Sequence, residues 1–391
     1  MMIEWKESTI NDVCSLITDG AHTSPKSVSE GMYMASVKDF TEFGFDFSNC
    51  RQISFEDFEK LEKQGCVPLI NDVLVGKDGA RFFEDIIIYR QNKKTALLSS
   101  IAILRADNKV IIPEFLYYIL KTPEVKKNVR DNYGSGSAIP RIVLKDFRRM
   151  PIKYPCVEDQ KKIVSGLIAI DEKIQNNQNI NKNLADQIQA IYSNEFDIST
   201  HTPLGVLADI CQYSAERIPV SELSESTYFS TENMQPNKGG ASDATNLPSI
   251  AQTTKCHKGD VLISNIRPYF KKIVYVTDEG CGCSTDVLCF VPKENSLSAF
   301  LFGTLYMDRF FDYMVAGSKG TKMPRGDKQQ IMNYPVVLPD KETLSFFNSL
   351  VVPMLDQIKF NRIENSKLVV LRDALLPKLM SGELDLSNLD L

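Results

Sequence analysis

Residues 134–155 read GSGSAIPRIVLKDFRRMPIKYP, and residues 317–339 read GSKGTKMPRGDKQQIMNYPVVLP. Both stretches place a Gly-Ser loop before a Pro-Arg pair and contain two further prolines. The matching prolines are separated by a constant step of 184 residues: 140 and 324, 151 and 335, 155 and 339. A constant step of nearly half the chain predicts two copies of one structural unit.

The bulk composition is that of an ordinary globular protein with room for two or three domains. The chain has 391 residues, of which 43% are hydrophobic and 24% are charged. No apolar run approaches the ~20 residues that span a bilayer, and the N-terminus lacks a secretory pattern. Nine cysteines, an odd number scattered through a long chain, are typical of a reducing compartment. We therefore expect a cytoplasmic protein without a membrane association.

Each half predicts short strands followed by a helix. The first half has β-like runs at 33–37, 72–75, 86–89 and 100–105, then a helix that begins after Pro113 and continues past Pro123. The second half has β-like runs at 228–231, 260–263, 272–276 and 287–291, then a helix over 299–315. Strands that precede a helix within one mixed unit predict an α+β fold, repeated twice.

A long amphipathic helix is predicted after each globular unit. Apolar residues recur at spacings of three, four and seven from Ile163 to Ile191 and from Phe347 to Leu371. A helix of ~38 residues is ~57 Å long, and two such stripes favour an antiparallel, coiled-coil-like pair that forms a rigid spacer. The alternative is that each helix packs only on its own domain. The predicted boundaries are 1–155 and 199–339 for the globular units, and 156–198 and 340–391 for the helices and the C-terminal tail.

The chain has a negative net charge but contains two stretches that are locally basic. The net charge is −5, which argues against a surface coated with generic phosphate-binding residues. Residues 121–153 nevertheless hold nine basic residues against three acidic ones, and 309–328 is also basic. A basic patch that recurs with the repeat indicates nucleic acid, although a single patch is also typical of a solvated helix face. Two similar halves suit duplex DNA, which has its own near two-fold symmetry.

Two sets of residues are candidates for DNA contact. Small residues beside basic ones allow close approach to the DNA backbone, and arginine can bind guanine through two hydrogen bonds. The first set follows the repeated loops: Ser135, Ser137, Arg141, Lys145, Lys319, Lys322 and Arg325. The alternative for Arg141 is a structural ion pair with Asp146 or a neighbouring acid. The second set consists of residues that follow the same strand of the repeat in each half, which favours a shared face for these residues: Lys77, Arg81, Arg267, Tyr269 and Lys271.

The helical segments resemble the specificity subunit of type I restriction-modification enzymes. The residues that carry the resemblance are the strand ending at Pro155, the helix start 159–163 (DQKKI), the run 170–174 (IDEKI) and the C-terminal run 371–383 (LRDALLPKLMSGE). The second helix departs from the pattern, because 343–344 is Thr-Leu where the family has Asp-Gln.

The resemblance implies a division of labour along the chain. The two globular units would be target recognition domains that each read one half of an interrupted, asymmetric DNA site. The helices would set the gap between the halves and dock two methyltransferase subunits and, through them, restriction and translocase subunits. We expect Leu167, Ile174, Leu350 and Val351 to be exposed for that partner. The chain itself would bind no cofactor, whereas the assembled complex would use S-adenosylmethionine, ATP and Mg²⁺.

The absence of common catalytic motifs from the sequence favours a non-catalytic subunit. The sequence has no phosphate-binding G-x-x-x-x-G-K-[ST] loop, and its three histidines leave little room for His-centred catalysis. Cys256, His257, Cys281, Cys283 and Cys289 are numerous enough for a zinc site, but their spacing is not a standard one and we expect no metal. The rival interpretation is a scaffold whose repeat binds other proteins and not DNA.

Overall fold

The computed structural model describes residues 3–79, 81–133, 140–196, 198 and 205–384. Its internal contacts divide the chain into two compact units. Unit 1 comprises Met1–Asn176 with Asn365–Leu391, and unit 2 comprises Asn177–Glu364. Each unit therefore contains one globular part and a portion of each long helix.

The first half of the chain contains short strands and helices followed by a long helix. The strands are β1 (Lys6–Thr9), β2 (Cys14–Asp19), β3 (Met32–Ala35), β4 (Phe40–Thr41), β5 (Gly44–Phe45), β6 (Gln52–Ile53), β7 (Val73–Gly76), β8 (Ile86–Ile88), β9 (Thr95–Leu97), β10 (Ile101–Ala106) and β11 (Pro151–Tyr154). The helices are α1 (Ile10–Val13), α2 (Phe55–Lys63), α3 (Pro113–Lys121), α4 (Pro123–Asn132), α5 (Leu144–Arg149) and α6 (Val157–Phe196).

The second half also has short strands and helices followed by a long helix. Its strands are β12 (Gly205–Val206), β13 (Cys211–Tyr213), β14 (Arg217–Pro219), β15 (Tyr228–Phe229), β16 (Gln252–Cys256), β17 (Val261–Ser264), β18 (Ile273–Tyr275), β19 (Cys281–Cys283), β20 (Val287–Pro292) and β21 (Pro335–Val336). Its helices are α7 (Leu207–Ile210), α8 (Ser298–Tyr306), α9 (Asp308–Ala316), α10 (Lys328–Met332) and α11 (Lys341–Met380).

The central sheet of unit 1 is antiparallel with the order β2-β10-β7-β8. Strand β7 is buried on both faces, which explains its continuous apolar sequence. Val73 and Val75 pack on the main core beneath α3, whereas Leu74 packs on a second cluster with Ala35 and Leu97. A three-stranded sheet, β6-β3-β9, supplies that second cluster, and β3 runs parallel to β9.

Unit 2 has the same central sheet, with the order β13-β20-β17-β18. Val261 and Ile263 of β17 pack on the main core and Leu262 on the second cluster, as in unit 1. The second sheet differs, because its order is β14-β16-β19-β15 and it has four strands. The parallel pair is nevertheless kept, since β15 runs parallel to β19. The units thus share a plan and differ in the second sheet.

The helix predicted to continue past Pro123 is broken. Thr122 has φ −62° and ψ 144°, so it ends α3, and its hydroxyl accepts a hydrogen bond from the N–H of Val125 at the start of α4. A residue before proline is driven out of the helical region by contact with the proline ring. Met307 separates α8 from α9 with the same extended conformation, although no proline follows it. The break is therefore a property of the fold in both units.

In unit 1 the long helices run antiparallel against one core. Ile163 and Leu167 of α6 pack in the same cluster as Leu376 and Leu379 of α11. Arg372 of α11, which is buried, donates to carboxylate oxygens of Asp171 (2.8 Å) and Glu42 (2.8 Å).

In unit 2 the long helices also run antiparallel. Phe347 of α11 contacts Phe196 of α6, with ring centroids 5.5 Å apart, inside the core of the unit. Farther along, the amide of Asn361 donates to Asn181 (2.8 Å). Helix α11 is continuous through Pro353 and Pro377, so neither proline breaks it. Each helix therefore packs both on its partner helix and on a globular part.

The expected exposure of the helix stripes is corrected. Leu167, Ile174 and Val351 are buried within the chain, and of the four predicted residues only Leu350 is exposed. Their apolar spacing reflects packing against the chain's own core. The exposed apolar residues of α11 are instead Phe346, Leu350, Val352, Phe360 and Ile363 in unit 2, and Val370 and Leu371 in unit 1.

Candidate nucleic-acid interface

In unit 1 the Pro-Arg segment lies against the loop that joins β7 to β8. The backbone N–H of Gly79 donates to the carbonyl of Pro140 (3.0 Å), and the N–H of Ile142 donates to the carbonyl of Lys77 (3.0 Å). The two first-half loops that carry candidate DNA-contact residues are therefore adjacent.

Unit 2 repeats this arrangement. The N–H of Arg267 donates to the carbonyl of Pro324 (2.8 Å), and the N–H of Gly326 donates to the carbonyl of Asn265 (3.4 Å). Donors and acceptors correspond one to one between the units: 77 with 265, 79 with 267, 140 with 324 and 142 with 326. We call residues 77–85 with 140–142, and residues 265–272 with 319–326, the loop pairs of units 1 and 2.

The hairpin loops of both loop pairs have left-handed residues at the same two positions. Gly79 and Phe83 of unit 1 have φ angles of 96° and 62°, and Arg267 and Lys271 of unit 2 both have φ angles of 51°. Left-handed conformations cost a residue with a side chain about 1–2 kcal/mol, so three of these positions are strained. Strain that recurs at equivalent positions indicates a loop held in one shape for a purpose.

The unit 1 loop pair presents cations to solvent. The side chain of Arg81 is exposed and binds Asp85 at 2.7 Å. Arg141 and Lys145 are exposed as well. Asp146 binds Arg149 (2.7 Å) and forms no ion pair with Arg141. Ser135 and Ser137 lie outside the described residues.

Lys77 is not a surface cation. It is 7% exposed, and its ammonium lies 3.3 Å from the buried carboxylate of Asp19. The expectation that Lys77 offers its charge to DNA is therefore corrected. A buried charge needs a partner, and the ion pair with Asp19 ties the base of the hairpin loop to the end of β2.

The predicted cations of unit 2 lie beside carboxylates. Lys322 is exposed, and Arg267 is half-buried at the base of the loop. The ion pairs are Lys271 with Asp308 (2.9 Å), Lys319 with Asp327 (2.6 Å) and Arg325 with Asp286 (2.9 Å).

The carboxylate of Asp327 favours the charged form of Lys319. The hydrogen bond to Asp327 raises the pKa of Lys319 above its ordinary value, and the same bond lowers the pKa of Asp327. Carboxylates so close to the cations also reduce the local net charge. A phosphate would therefore exchange with a carboxylate partner, which favours contacts of defined geometry over generic attraction.

Lys238 is a cation that the sequence analysis did not select. Its ammonium lies 2.9 Å from Asp308, the carboxylate that also binds Lys271. The backbone N–H groups of Asn237 and Lys238 donate to the carbonyls of Phe270 and Lys271 (2.8 Å each). The run Asn-Lys-Gly-Gly at 237–240 is a turn signal that predicts such a loop, but not its contact with the hairpin.

The cysteine cluster is a hydrophobic core. Cys256, Cys281, Cys283 and Cys289 are buried around Leu262. In the described part of the chain, no group of three or more His, Cys, Asp or Glu is placed to hold a metal ion.

His257 is bound by carboxylates and not by the neighbouring thiols. Its imidazole nitrogens lie 3.2 Å from Glu216 and 3.1 Å from Glu279. Burial lowers the pKa of His257, but the bonds to the two carboxylates outweigh burial, and the net shift is upward.

Across the described residues, no helix is long and apolar enough to cross a membrane.

Comparison with known sequences identifies relatives of one kind. The family described as "Type I restriction modification DNA specificity domain" matches residues 2–186. The type I restriction enzyme MjaIX specificity subunit of Methanocaldococcus jannaschii is 24% identical over 307 residues, which cover 71% of each chain. The type I restriction enzyme HindI specificity subunit of Haemophilus influenzae is 26% identical over 176 residues, 43% of this chain and 38% of that one.

The fold is also shared with a solved structure. The S subunit of a type I restriction-modification system from M. genitalium aligns over 96% of both chains, with a TM-score of 0.55 and 17% sequence identity. This likeness confirms the α+β fold with long spacer-like helices.

Proposed function

Because the chain belongs to the family of type I restriction-modification specificity subunits, we propose that units 1 and 2 each read one half of a split, asymmetric site in duplex DNA. The chain is the recognition subunit and leaves the chemistry to its partners. S-adenosylmethionine, ATP and Mg²⁺ serve those partners, and the whole complex works in the cytoplasm.

One observation carries the proposal. Both units hold a hairpin loop against a Pro-Arg segment through equivalent backbone hydrogen bonds, yet the exposed side chains differ. Arg81 occupies the tip in unit 1, and Tyr269 occupies the equivalent position in unit 2. A constant frame with different side chains suits two readers of two different half-sites, since base edges are read by side chains.

The long helices are proposed to fix the gap between the half-sites. An α-helix rises 1.5 Å per residue, and successive base pairs of DNA are spaced by 3.4 Å. Both helices cross from one unit to the other, α6 at 176–177 and α11 at 364–365. Lengthening both helices at these points therefore tests their role.

The test is to co-express the chain with a methyltransferase partner and to map methylated adenines across a genome. We expect a motif of two unlike halves separated by a fixed gap. A four-residue insertion in both helices adds about 6 Å, and we expect the gap to grow by one or two base pairs. A complex that forms and binds S-adenosylmethionine but marks no split motif would overturn the proposal and favour the protein scaffold.

Docking of the methyltransferase is proposed for the outer face of α11. Phe360 is exposed there although it is large and apolar, and such residues mark protein interfaces when they cluster. We expect Phe360→Asp to reduce co-purification of the methyltransferase. Phe55→Asp, which changes a similarly exposed phenylalanine on α2, is the matched control and should leave co-purification intact.

A further inference from the structure

Unit 2 exposes large apolar side chains at its loop pair. Tyr269, Phe270 and Met323 are 48%, 38% and 49% exposed, and the two aromatic rings lie 4.8 Å apart. Outside the long helices α6 and α11, the other exposed large apolar residues among the described part of unit 2 are Ile250 and Val315. In unit 2 outside the long helices, exposed apolar residues thus concentrate on the surface assigned to DNA.

The aromatic pair is held rigidly. It lies in a 3₁₀ turn, Pro268–Phe270, between the left-handed residues Arg267 and Lys271. The N–H of Phe270 donates to the carbonyl of Arg267 (2.9 Å), and its own carbonyl accepts from Asn237 (2.8 Å). The loop is strained at two backbone positions, and its aromatic side chains are exposed to solvent. This combination favours binding of a ligand that covers the aromatic rings.

Cations flank the apolar tip. Lys322 directly precedes Met323, and Arg325 follows it after Pro324. Lys271 adjoins the aromatic pair on the hairpin itself. A polyanion with apolar faces fits this combination, and duplex DNA offers phosphates around stacked bases.

The equivalent tip of unit 1 has different chemistry. Arg81 corresponds to Tyr269, and Phe82, which is half-buried, corresponds to Phe270. None of the described residues in the unit 1 loop pair is a large apolar residue with an exposed side chain. The difference lies in the side chains, since the two hairpins share equivalent left-handed positions and equivalent backbone hydrogen bonds.

We propose that Tyr269 and Phe270 act as an apolar wedge that stacks against an opened base step in the half-site read by unit 2. The proposal rests on the DNA-reading function proposed above and extends it to the mode of reading. Opening a step costs a few kcal/mol, and pyrimidine–purine steps such as TA and CA are the easiest to deform. The half-site of unit 2 should therefore contain such a step, whereas unit 1 reads its half with the Arg81 guanidinium.

The test uses the full chain in complex with its methyltransferase and a duplex that carries the mapped motif. 2-Aminopurine, whose fluorescence rises when it is unstacked, replaces each purine in turn. We expect a several-fold rise at one position in one half-site, apart from the methylated adenine, which the methyltransferase extrudes by itself. Tyr269→Ala with Phe270→Ala should abolish this rise and weaken binding about tenfold, given the contribution of base–aromatic stacking.

Two controls separate stacking from other effects. Tyr269→Phe keeps the ring and should keep the fluorescence rise. Ile250→Ala truncates an exposed apolar residue elsewhere in unit 2 and should also keep it.

Three results would distinguish the possible failures. No rise beyond the methylated adenine, or a rise that survives the double alanine variant, overturns the wedge. A double variant that no longer binds the methyltransferase overturns it as well, because the tip is then a protein interface. A wild-type complex that binds no duplex DNA refutes the proposed function itself.

Discussion

Two buried aspartates occupy the same position before the central strand of each unit but have different partners. Asp72 accepts hydrogen bonds from Nε and Nη2 of Arg105, both at 2.8 Å. Among the described residues Asp260 has no cationic partner, because the strand register places Val291 where unit 1 has Arg105. The aspartate at this position therefore forms an ion pair in unit 1 and is buried without a cationic partner in unit 2.

Asp260, which is buried without a cationic partner, has a raised pKa. Burial is the main cause that raises its pKa, to about 7, and the nearby thiol of Cys289 adds to the effect. The backbone N–H of His257, which donates to Asp260 at 2.8 Å, offsets part of it. Asp260 thus takes up its proton near neutral pH in the folded protein, whereas it ionises near pH 3.8 when the chain unfolds.

We predict that Asp260→Asn stabilises the protein increasingly as the pH rises. Because the folded pKa exceeds the unfolded one, the contribution of neutral Asp260 is complete below pH 3.8 and is lost as the pH rises through 7. The variant should exceed the wild type in free energy of unfolding by about 2–4 kcal/mol at pH 8, and by much less at pH 4.5. Urea unfolding at both pH values measures the difference.

The matched control is Asp72→Asn, which should act in the opposite direction. It leaves Arg105 without its carboxylate and should cost about 1–3 kcal/mol at pH 8. Equal effects of Asp260→Asn at the two pH values would contradict the account of Asp260.

At the scale of the element, the hairpin loop depends on its left-handed positions. Gly79 has φ 96°, and an added Cβ would meet no atom within 4 Å. We predict that Gly79→Ala lowers the free energy of unfolding by about 1–2 kcal/mol through the backbone alone.

Gly166 provides a control of opposite sign. It lies exposed within α6 and also has open space around it, so Gly166→Ala should raise stability by about 0.5–1 kcal/mol. Thermal unfolding of the two variants compares them directly. Destabilisation by both alanines would indicate crowding and refute the conformational explanation.

The elements show where sequence reasoning succeeds. Helices α6 and α11 follow from apolar periodicity, since many residues contribute to that pattern. The break at Thr122 could have been read from the following proline, but the break at Met307 has no local cause. The burial of Lys77 was missed because its partner, Asp19, comes from another strand. Local patterns thus predict elements, and distant contacts decide which side chains remain free.

At the scale of the molecule, the two units differ in the number of chain segments that form them. Unit 2 is one continuous segment, whereas unit 1 combines 1–176 with 365–391. Leu376, Leu379 and Met380 belong to the unit 1 core, together with Ile163 and Leu167. Unit 1 is therefore incomplete without the last turns of α11.

We predict that residues 177–364 fold when expressed alone and that residues 1–176 do not. A 1–176 fragment leaves the apolar face of α6 uncovered, and loss of several buried leucine-sized side chains costs more than a typical domain can spare. Adding a 365–391 peptide should restore protection from proteolysis. A well-folded 1–176 fragment that ignores the peptide would contradict this division of the chain.

The split construction of unit 1 also sets an order of completion during protein synthesis. Unit 1 begins to leave the ribosome first, yet its core closes only when the residues after Asn365 emerge. At ~5–20 residues per second, the 188 residues between 176 and 365 take about 10–40 s to make. Throughout that interval the nascent chain carries an unfinished core beside a unit 2 that is free to close. Unit 1 therefore starts first and finishes last, and its uncovered side chains are the natural targets for chaperones.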